Sequence, residues 1–141
     1  MRVYLDASVL IALFIDSDPF TDRAKAYLAS IVDSLIVSDF AAAEFVSGVA
    51  RLTRMRRLAA DDASAIFATF DAWKARTSET ANATTPDIAA AAAAVRRLDL
   101  NLRTPDAINI AVADRLGATL ATFDDRMATT ARALGVTVAP D

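Results

Sequence analysis

The chain of 141 residues contains no cysteine and no histidine. Without cysteine there are no disulfides, no thiolate metal sites and no cysteine nucleophile. Without histidine there is no Ser-His-Asp triad and no imidazole ligand, and the commonest general base is missing. Lysine occurs only as Lys25 and Lys74, and glutamate only as Glu44 and Glu79. No apolar run approaches the roughly 20 residues that span a bilayer. The apolar start is broken at Asp6, with no small-residue cleavage site after it. These features predict a cytoplasmic protein with no membrane segment. The net charge of −3 excludes a uniformly basic nucleic-acid binder. It leaves nuclease chemistry open, because bound divalent ions invert the charge of a site. What remains for chemistry is carboxylates, hydroxyls and arginines, and carboxylates select hard, oxygen-loving cations.

The length suits one domain covering residues 1–141. Hydrophobic residues make up 55% of the chain, many of them alanine, which favours closely packed helices. Arg2–Leu5 reads as a short strand ending at Asp6. Apolar Ser8–Ile15 stops at the turn cluster Asp16-Ser17-Asp18-Pro19, and Thr21–Ser30 has the two faces of a helix. Leu35–Ser38 is a second strand, with Asp39 as the N-cap of a helix to about Arg57. Asp61-Asp62 open a helix carrying Ile66, Phe67, Phe70 and Trp73 at helical spacing, a core or helix–helix surface. Ser78–Thr84 is a polar strand. Thr85-Pro86 opens a helix to about Leu98, and Thr104-Pro105 one to about Leu116, ended by Gly117. Ala118–Phe123 is a strand, Asp124-Asp125 start a helix to Leu134, and Val136–Val138 follow Gly135 as a last strand. Strands alternating with helices predict an α/β fold with a parallel sheet covered on both faces.

In such sheets ligands bind outside the carboxyl ends of the strands. Asp6 follows the first strand and Asp124 the strand Ala118–Phe123. Glu44 lies one turn into the helix after the second strand, and Asp106 opens the helix leading to the Asp124 strand. Each has an ordinary alternative. Asp39 and Asp124 serve as helix caps. With Thr104 as cap and Pro105 as first helical residue, Asp106 suits the helix dipole. Asp87 shares the same Thr-Pro-Asp sequence, so local sequence does not separate the two. Glu44 is a charge between Phe40-Ala41-Ala42-Ala43 and Phe45-Val46, or else a residue on the outward face of an amphipathic helix. Asp6 ends an apolar strand with no lysine or histidine nearby in sequence, so it needs a partner or pays for desolvation. Several carboxylates in one cleft raise each other's pKa, and a divalent cation removes that penalty. Two such cations can activate water and stabilise the leaving oxygen of a phosphodiester.

Four stretches resemble the PIN-domain nucleases, and among them the VapC-type toxins of bacterial toxin–antitoxin pairs. They are Val3-Tyr4-Leu5-Asp6-Ala7-Ser8-Val9, the segment around Glu44, Leu102-Arg103-Thr104-Pro105-Asp106-Ala107-Ile108, and Leu116-Gly117-Ala118-Thr119-Leu120-Ala121-Thr122-Phe123-Asp124. The resemblance implies a single PIN-like domain with a parallel sheet of about five strands. It implies that Asp6, Glu44, Asp106 and Asp124 are catalytic metal ligands, with Ser8 and Thr122 as hydroxyls beside them. It aligns Asp106 and not Asp87. It further implies Mg²⁺- or Mn²⁺-dependent cleavage of RNA, a cognate VapB-like antitoxin that covers the site, and a homodimer as a common assembly. Asn109 departs from the histidine or glutamine frequent in the family three residues after the third acid, and Asp125 is either a helper or an exposed first-turn acid.

Arg51, Arg54, Arg56 and Arg57 end the Glu44 helix and either track RNA phosphates or complement the helix dipole. Phe14, Phe40 and Phe45 either line an antitoxin groove or join the core. Two other functions fit the pattern: a PIN-type housekeeping nuclease of RNA processing, and a non-catalytic interaction module. A phosphoryl-accepting signalling domain fits less well, since neither lysine follows a late strand.

Overall fold

The computed structural model describes residues 1–140. The strands are β1 (Arg2–Leu5), β2 (Ser34–Ser38), β3 (Ser78–Ala81), β4 (Thr119–Ala121) and β5 (Val138–Ala139). The helices are α1 (Ala7–Phe14), α2 (Thr21–Ser30), α3 (Asp39–Arg54), α4 (Ala60–Thr77), α5 (Thr85–Val95), α6 (Thr104–Arg115) and α7 (Asp125–Ala133). All pairings are parallel, in the order β3-β2-β1-β4-β5.

That order sets the position of the site. The chain moves outward from β1 through β2 to β3, then returns to the other side of β1 for β4 and β5. Right-handed crossovers put helices of the outward run and of the return on opposite faces. The packing agrees: α1 meets α2 and α3, α3 meets α4, and α5 meets α6. At the reversal, β1 and β4 lie side by side, and the crevice beyond their carboxyl ends is the topological switch point. Tyr4, Leu5, Leu120 and Ala121 are fully buried there, as expected of strands covered on both faces.

Several element ends differ from the sequence-based expectation, each for a local reason. The cap of α3 is Ser38, whose Oγ accepts the Ala41 N–H at 2.9 Å. Asp39 instead accepts the Ala83 N–H at 2.8 Å, which ties the chain after β3 to the start of α3. Helix α3 stops at Arg54 rather than Arg57 because Arg56 takes a left-handed φ of 58°. Such a backbone costs a side-chain-bearing residue about 1–2 kcal/mol. Arg56→Gly is therefore expected to raise stability by up to about 1 kcal/mol, read as a higher thermal midpoint. Helix α5 ends at Val95, short of Leu98, and β3 ends at Ala81, short of Thr84. Strands β4 and β5 are also short, at three and two residues.

The expected aromatic groove is largely interior. Phe14 packs edge-on against Phe45, Phe70 and Trp73 at centroid distances of 5.7, 5.5 and 5.4 Å. Phe45 is fully buried, and Phe40 packs on Ala91, Ala107 and Ile108. Among the described residues no helix is long and apolar enough to cross a membrane.

Candidate active site

Asp6 is the residue from which the site is built. It follows β1 directly, is only 4% exposed, and its N–H donates to the Ala121 carbonyl across to β4 at 3.1 Å. Its extended backbone also makes it the N-cap of α1, with Oδ1 accepting the Val9 N–H at 3.1 Å. Ser8 Oγ donates to the same oxygen at 2.6 Å, and Thr122 Oγ1 donates to Oδ2 at 2.5 Å. Burial pushes the Asp6 carboxyl up to about 6; the three hydrogen bonds offset part of that, and the charge of Asp124 adds to it.

The same two hydroxyls hold the loop that carries Asp124. Ser8 Oγ accepts the Phe123 N–H, and Thr122 Oγ1 accepts the Asp124 N–H, each at 3.0 Å. Each hydroxyl thus donates to Asp6 and accepts from the β4–α7 turn, fixing Asp124 relative to Asp6. Thr122 is 4% exposed, so Thr122→Val strands a carboxylate oxygen and an amide in the interior. The expected loss is about 1–3 kcal/mol in urea unfolding. An unchanged urea midpoint would show that the hydroxyl carries no such role.

Asp124 caps α7: Oδ1 accepts the Arg126 and Met127 N–H groups at 3.0 and 3.1 Å. Its other oxygen has no hydrogen-bond partner among the described residues. Capping and ligation are therefore compatible in one side chain. Glu44 is half-buried on α3 and Asp106 half-buried in the first turn of α6. Both carboxyls are raised above the usual range. For Glu44 the cause is burial, opposed by a hydrogen bond from Asn109, with the charges of Asp6 and Asp106 adding. For Asp106 it is burial and then the charge of Asp124, opposed by Arg126 and Arg103.

Through-space charge links the four acids in one ring: Asp124 raises Asp6 and Asp106, and Asp6 and Asp106 in turn raise Glu44. None of the four is ion-paired among the described residues. No three acidic groups among those residues stand close enough to enclose a metal ion unaided. The ring is thus an open arrangement. Mg²⁺ keeps several waters and takes one or two carboxylates together with substrate phosphate oxygens, so it does not require a closed set of three acids. The donor set is all hard oxygen, and the unpaired negative charge supplies the attraction.

The structure separates the Thr-Pro-Asp twins. Thr84 precedes the first and caps α5: its Oγ1 accepts the Asp87 N–H at 3.3 Å, and Asp87 Oδ2 accepts the Thr84 N–H at 2.8 Å. Arg115 adds a bidentate pair to Asp87 at 2.8 and 2.9 Å. Arg103 precedes the second twin and offers no cap, so α6 begins uncapped at Thr104 rather than with Thr104 as its cap. Asp106 is left half-buried, with no ion-pair partner among the described residues and under the charge of Asp124.

Other expected residues lie elsewhere. Arg54 is ten positions beyond Glu44, about 15 Å along the helix, and Arg51 and Arg57 border a groove with Ile11, Gly48, Leu52 and Met55. The arginines whose charge reaches Asp106 are Arg126 and Arg103. Asp125 is exposed. Sequence reasoning missed Arg103 and Arg126, although both flank a candidate acid closely along the chain. It also left Asn109 without a role, whereas Asn109 Nδ2 donates to Glu44 Oε1 at 2.6 Å.

The acids at this switch point of an open parallel sheet are hard-oxygen donors without an ion-pair partner among the described residues. Residues 3–133 match the PIN domain family, and the chain belongs to it. The fold is similar to VapC20 of Mycobacterium tuberculosis, described as a Sarcin-Ricin loop cleaving toxin, with 22% identity over 90% of this chain and 93% of that one and a TM-score of 0.72. It is similar to VapBC2 from Rickettsia felis bound to a promoter DNA fragment, with 15% identity over 99% and 98% of the two chains and a TM-score of 0.72. It is also similar to FitAcB from Neisseria gonorrhoeae, with 19% identity over 98% and 96% and a TM-score of 0.71. No curated protein matches the sequence significantly.

Proposed function

We propose that the chain is a divalent-metal-dependent endoribonuclease that hydrolyses RNA phosphodiester bonds as the cytoplasmic toxin of a toxin–antitoxin pair, restrained by a VapB-like antitoxin. The observation that carries this reading is the ring of four unpaired acids at the switch point of a PIN domain chain. Asp6, Glu44, Asp106 and Asp124 would hold Mg²⁺ or Mn²⁺, which when bound supplies an activated water and stabilises the leaving oxygen. Ser8 and Thr122 aim both oxygens of Asp6 and hold the Asp124 loop. Arg103 and Arg126 offer positive charge beside Asp106 for an RNA phosphate. The toxin role is supported by the similarity in fold to VapC20 and to chains of VapBC and FitAB assemblies.

The test is cleavage mapping on total RNA with Mg²⁺ or Mn²⁺ and with EDTA, paired with growth on expression of the chain alone or with its neighbouring reading frame. The expected result is metal-dependent cleavage at defined sites, and growth arrest relieved by the neighbour. Full activity in EDTA overturns the mechanism; cleavage without arrest favours the housekeeping role. Arg103→Ala and Arg126→Ala are each expected to raise KM for RNA roughly tenfold with little change in kcat. Equal effects from Arg54→Ala would instead place the substrate along α3.

A further inference from the structure

We infer that Asn109 is a positioning residue for Glu44, held by a buried relay that runs from Ser38 through Tyr4. The inference rests on the proposed metal-dependent cleavage and deepens it. Ser38 and Tyr4 are fully buried and Asn109 is 2% exposed. Tyr4 Oη has one proton, which it donates to Asn109 Oδ1 at 2.5 Å. The 2.6 Å contact between Tyr4 and Ser38 must then run from the Ser38 hydroxyl to Tyr4, while Ser38 Oγ accepts the Ala41 N–H. With Oδ1 of Asn109 filled from the tyrosine, its amide nitrogen faces outward. It donates to Glu44 Oε1 at 2.6 Å and to the Pro105 carbonyl at 3.1 Å. Every polar atom in the relay is therefore assigned, and the amide has one orientation. The reverse orientation would set Oδ1 against the Glu44 carboxylate.

Three consequences follow from the geometry. Asn109 is three residues after Asp106 on α6, so both lie on one face of the helix. Its bond to Glu44 thereby ties α3 to the helix that carries Asp106, and fixes the spacing of the two acids. The donor is neutral, so it orients Glu44 without cancelling the charge that attracts a cation. An arginine or lysine at this position would hold Glu44 but compete with the metal. The relay is anchored on β1 and at the end of β2, the most deeply buried part of the sheet, so Glu44 takes its orientation from the core rather than from solvent.

The test compares the full chain with Asn109→Asp, Asn109→Leu and Tyr4→Phe, with Asp6→Asn as control. Mn²⁺ affinity is read by calorimetry, kcat and KM on one RNA, and folding by thermal melts. Asn109→Asp keeps the size and the bond from Tyr4 but has no N–H for Glu44; Asn109→Leu removes donor and acceptor alike. For whichever of the two melts cooperatively, Mn²⁺ affinity and kcat are each expected to fall roughly 10- to 100-fold. KM for RNA is expected to stay within about threefold, since no RNA contact is removed. Tyr4→Phe, which leaves the Asn109–Glu44 bond but frees the amide to turn, is expected to lose less in both. Wild-type Mn²⁺ affinity and kcat in the Asn109 variants, with Asp6→Asn inactive, overturn the inference and leave the functional reading standing. If Asp6→Asn also binds Mn²⁺ and cleaves normally, both fall. If both Asn109 variants fail to fold, Tyr4→Phe decides, and wild-type values there overturn the relay.

Discussion

Asp6→Asn is expected to lower RNA cleavage on the order of 10²–10³-fold while making the metal-free protein more stable at pH 8. The two effects share one cause. Asp6 is buried among hydroxyls and an amide, with no cation beside it. Its carboxyl is pushed from 3.8 up to about 6, because burial penalises the charged form and Asp124 adds repulsion. The folded state thus binds this proton more tightly than the unfolded chain does. Above pH 6 the ionised group opposes folding, by up to about 3 kcal/mol at 1.36 kcal/mol per pKa unit. Stability contributed through Asp6 therefore rises as pH falls from above 6 to below 4. The asparagine variant lacks that slope and is expected to gain about 1–3 kcal/mol at pH 8, the remainder being lost to imperfect pairing of the amide. Urea unfolding at pH 5 and pH 8 measures both. A variant less stable than wild type at pH 8, or still active, would falsify the assignment of Asp6 as a metal ligand held at a cost to the fold.

Asp87→Ala is expected to do the opposite: to cost stability and spare catalysis. Asp87 is 2% exposed and receives two bonds from Arg115, one of them from Nε at 2.8 Å, together with the capping box of Thr84. Arg115 is partly exposed, which reduces the value of the pair below that of a wholly buried one. Losing the pair and the box is expected to cost about 2–4 kcal/mol. Arg115 holds the Asp87 carboxyl below the usual carboxylate range. That contribution is complete above the ordinary carboxylate pKa and is lost as pH falls through the lowered folded value. The wild-type advantage over the variant should therefore be full at pH 6 and shrink in acid below pH 4. RNA cleavage by the folded variant should match wild type. A well-folded Asp87 variant without activity would mean that the two Thr-Pro-Asp sequences had been assigned the wrong way round.

The twins also show what the sequence reveals and what it conceals. Their shared three residues cannot tell a capping-box acid from one outside a capping box, but the residue before them can. Threonine at 84 completes a capping box, whereas arginine at 103 does not, and Arg115 arrives at Asp87 from 28 positions away. The parallel α/β plan was legible because strand ends coincide with caps: Asp6 begins α1 and Asp124 begins α7. The match of residues 3–133 to the PIN domain family agrees with the resemblance read from the same acids. Strand lengths were less legible. β3 is a polar strand defined mainly by its parallel register with Leu35–Ser38, and β5 pairs through only two residues. The hydrogen bonds of Asn109 were not legible, because its partners are 65 and 105 positions away and the sequence shows only an amide among apolar residues. The position of the arginine cluster relative to the acids was hidden for a related reason. A cluster along one helix is conspicuous in sequence, but a helix directed away from the strand ends carries its last turns away from the site.

Everything functional depends on whether Asp6, Glu44, Asp106 and Asp124 take up one kind of ion at one place. Crystals soaked in Mn²⁺ and measured at the manganese edge test this directly. The account predicts anomalous density bounded by these four side chains in the wild type and its loss in Asp6→Asn. Manganese bound only at other acids, or none at millimolar concentration with the four carboxylates ordered, would contradict it.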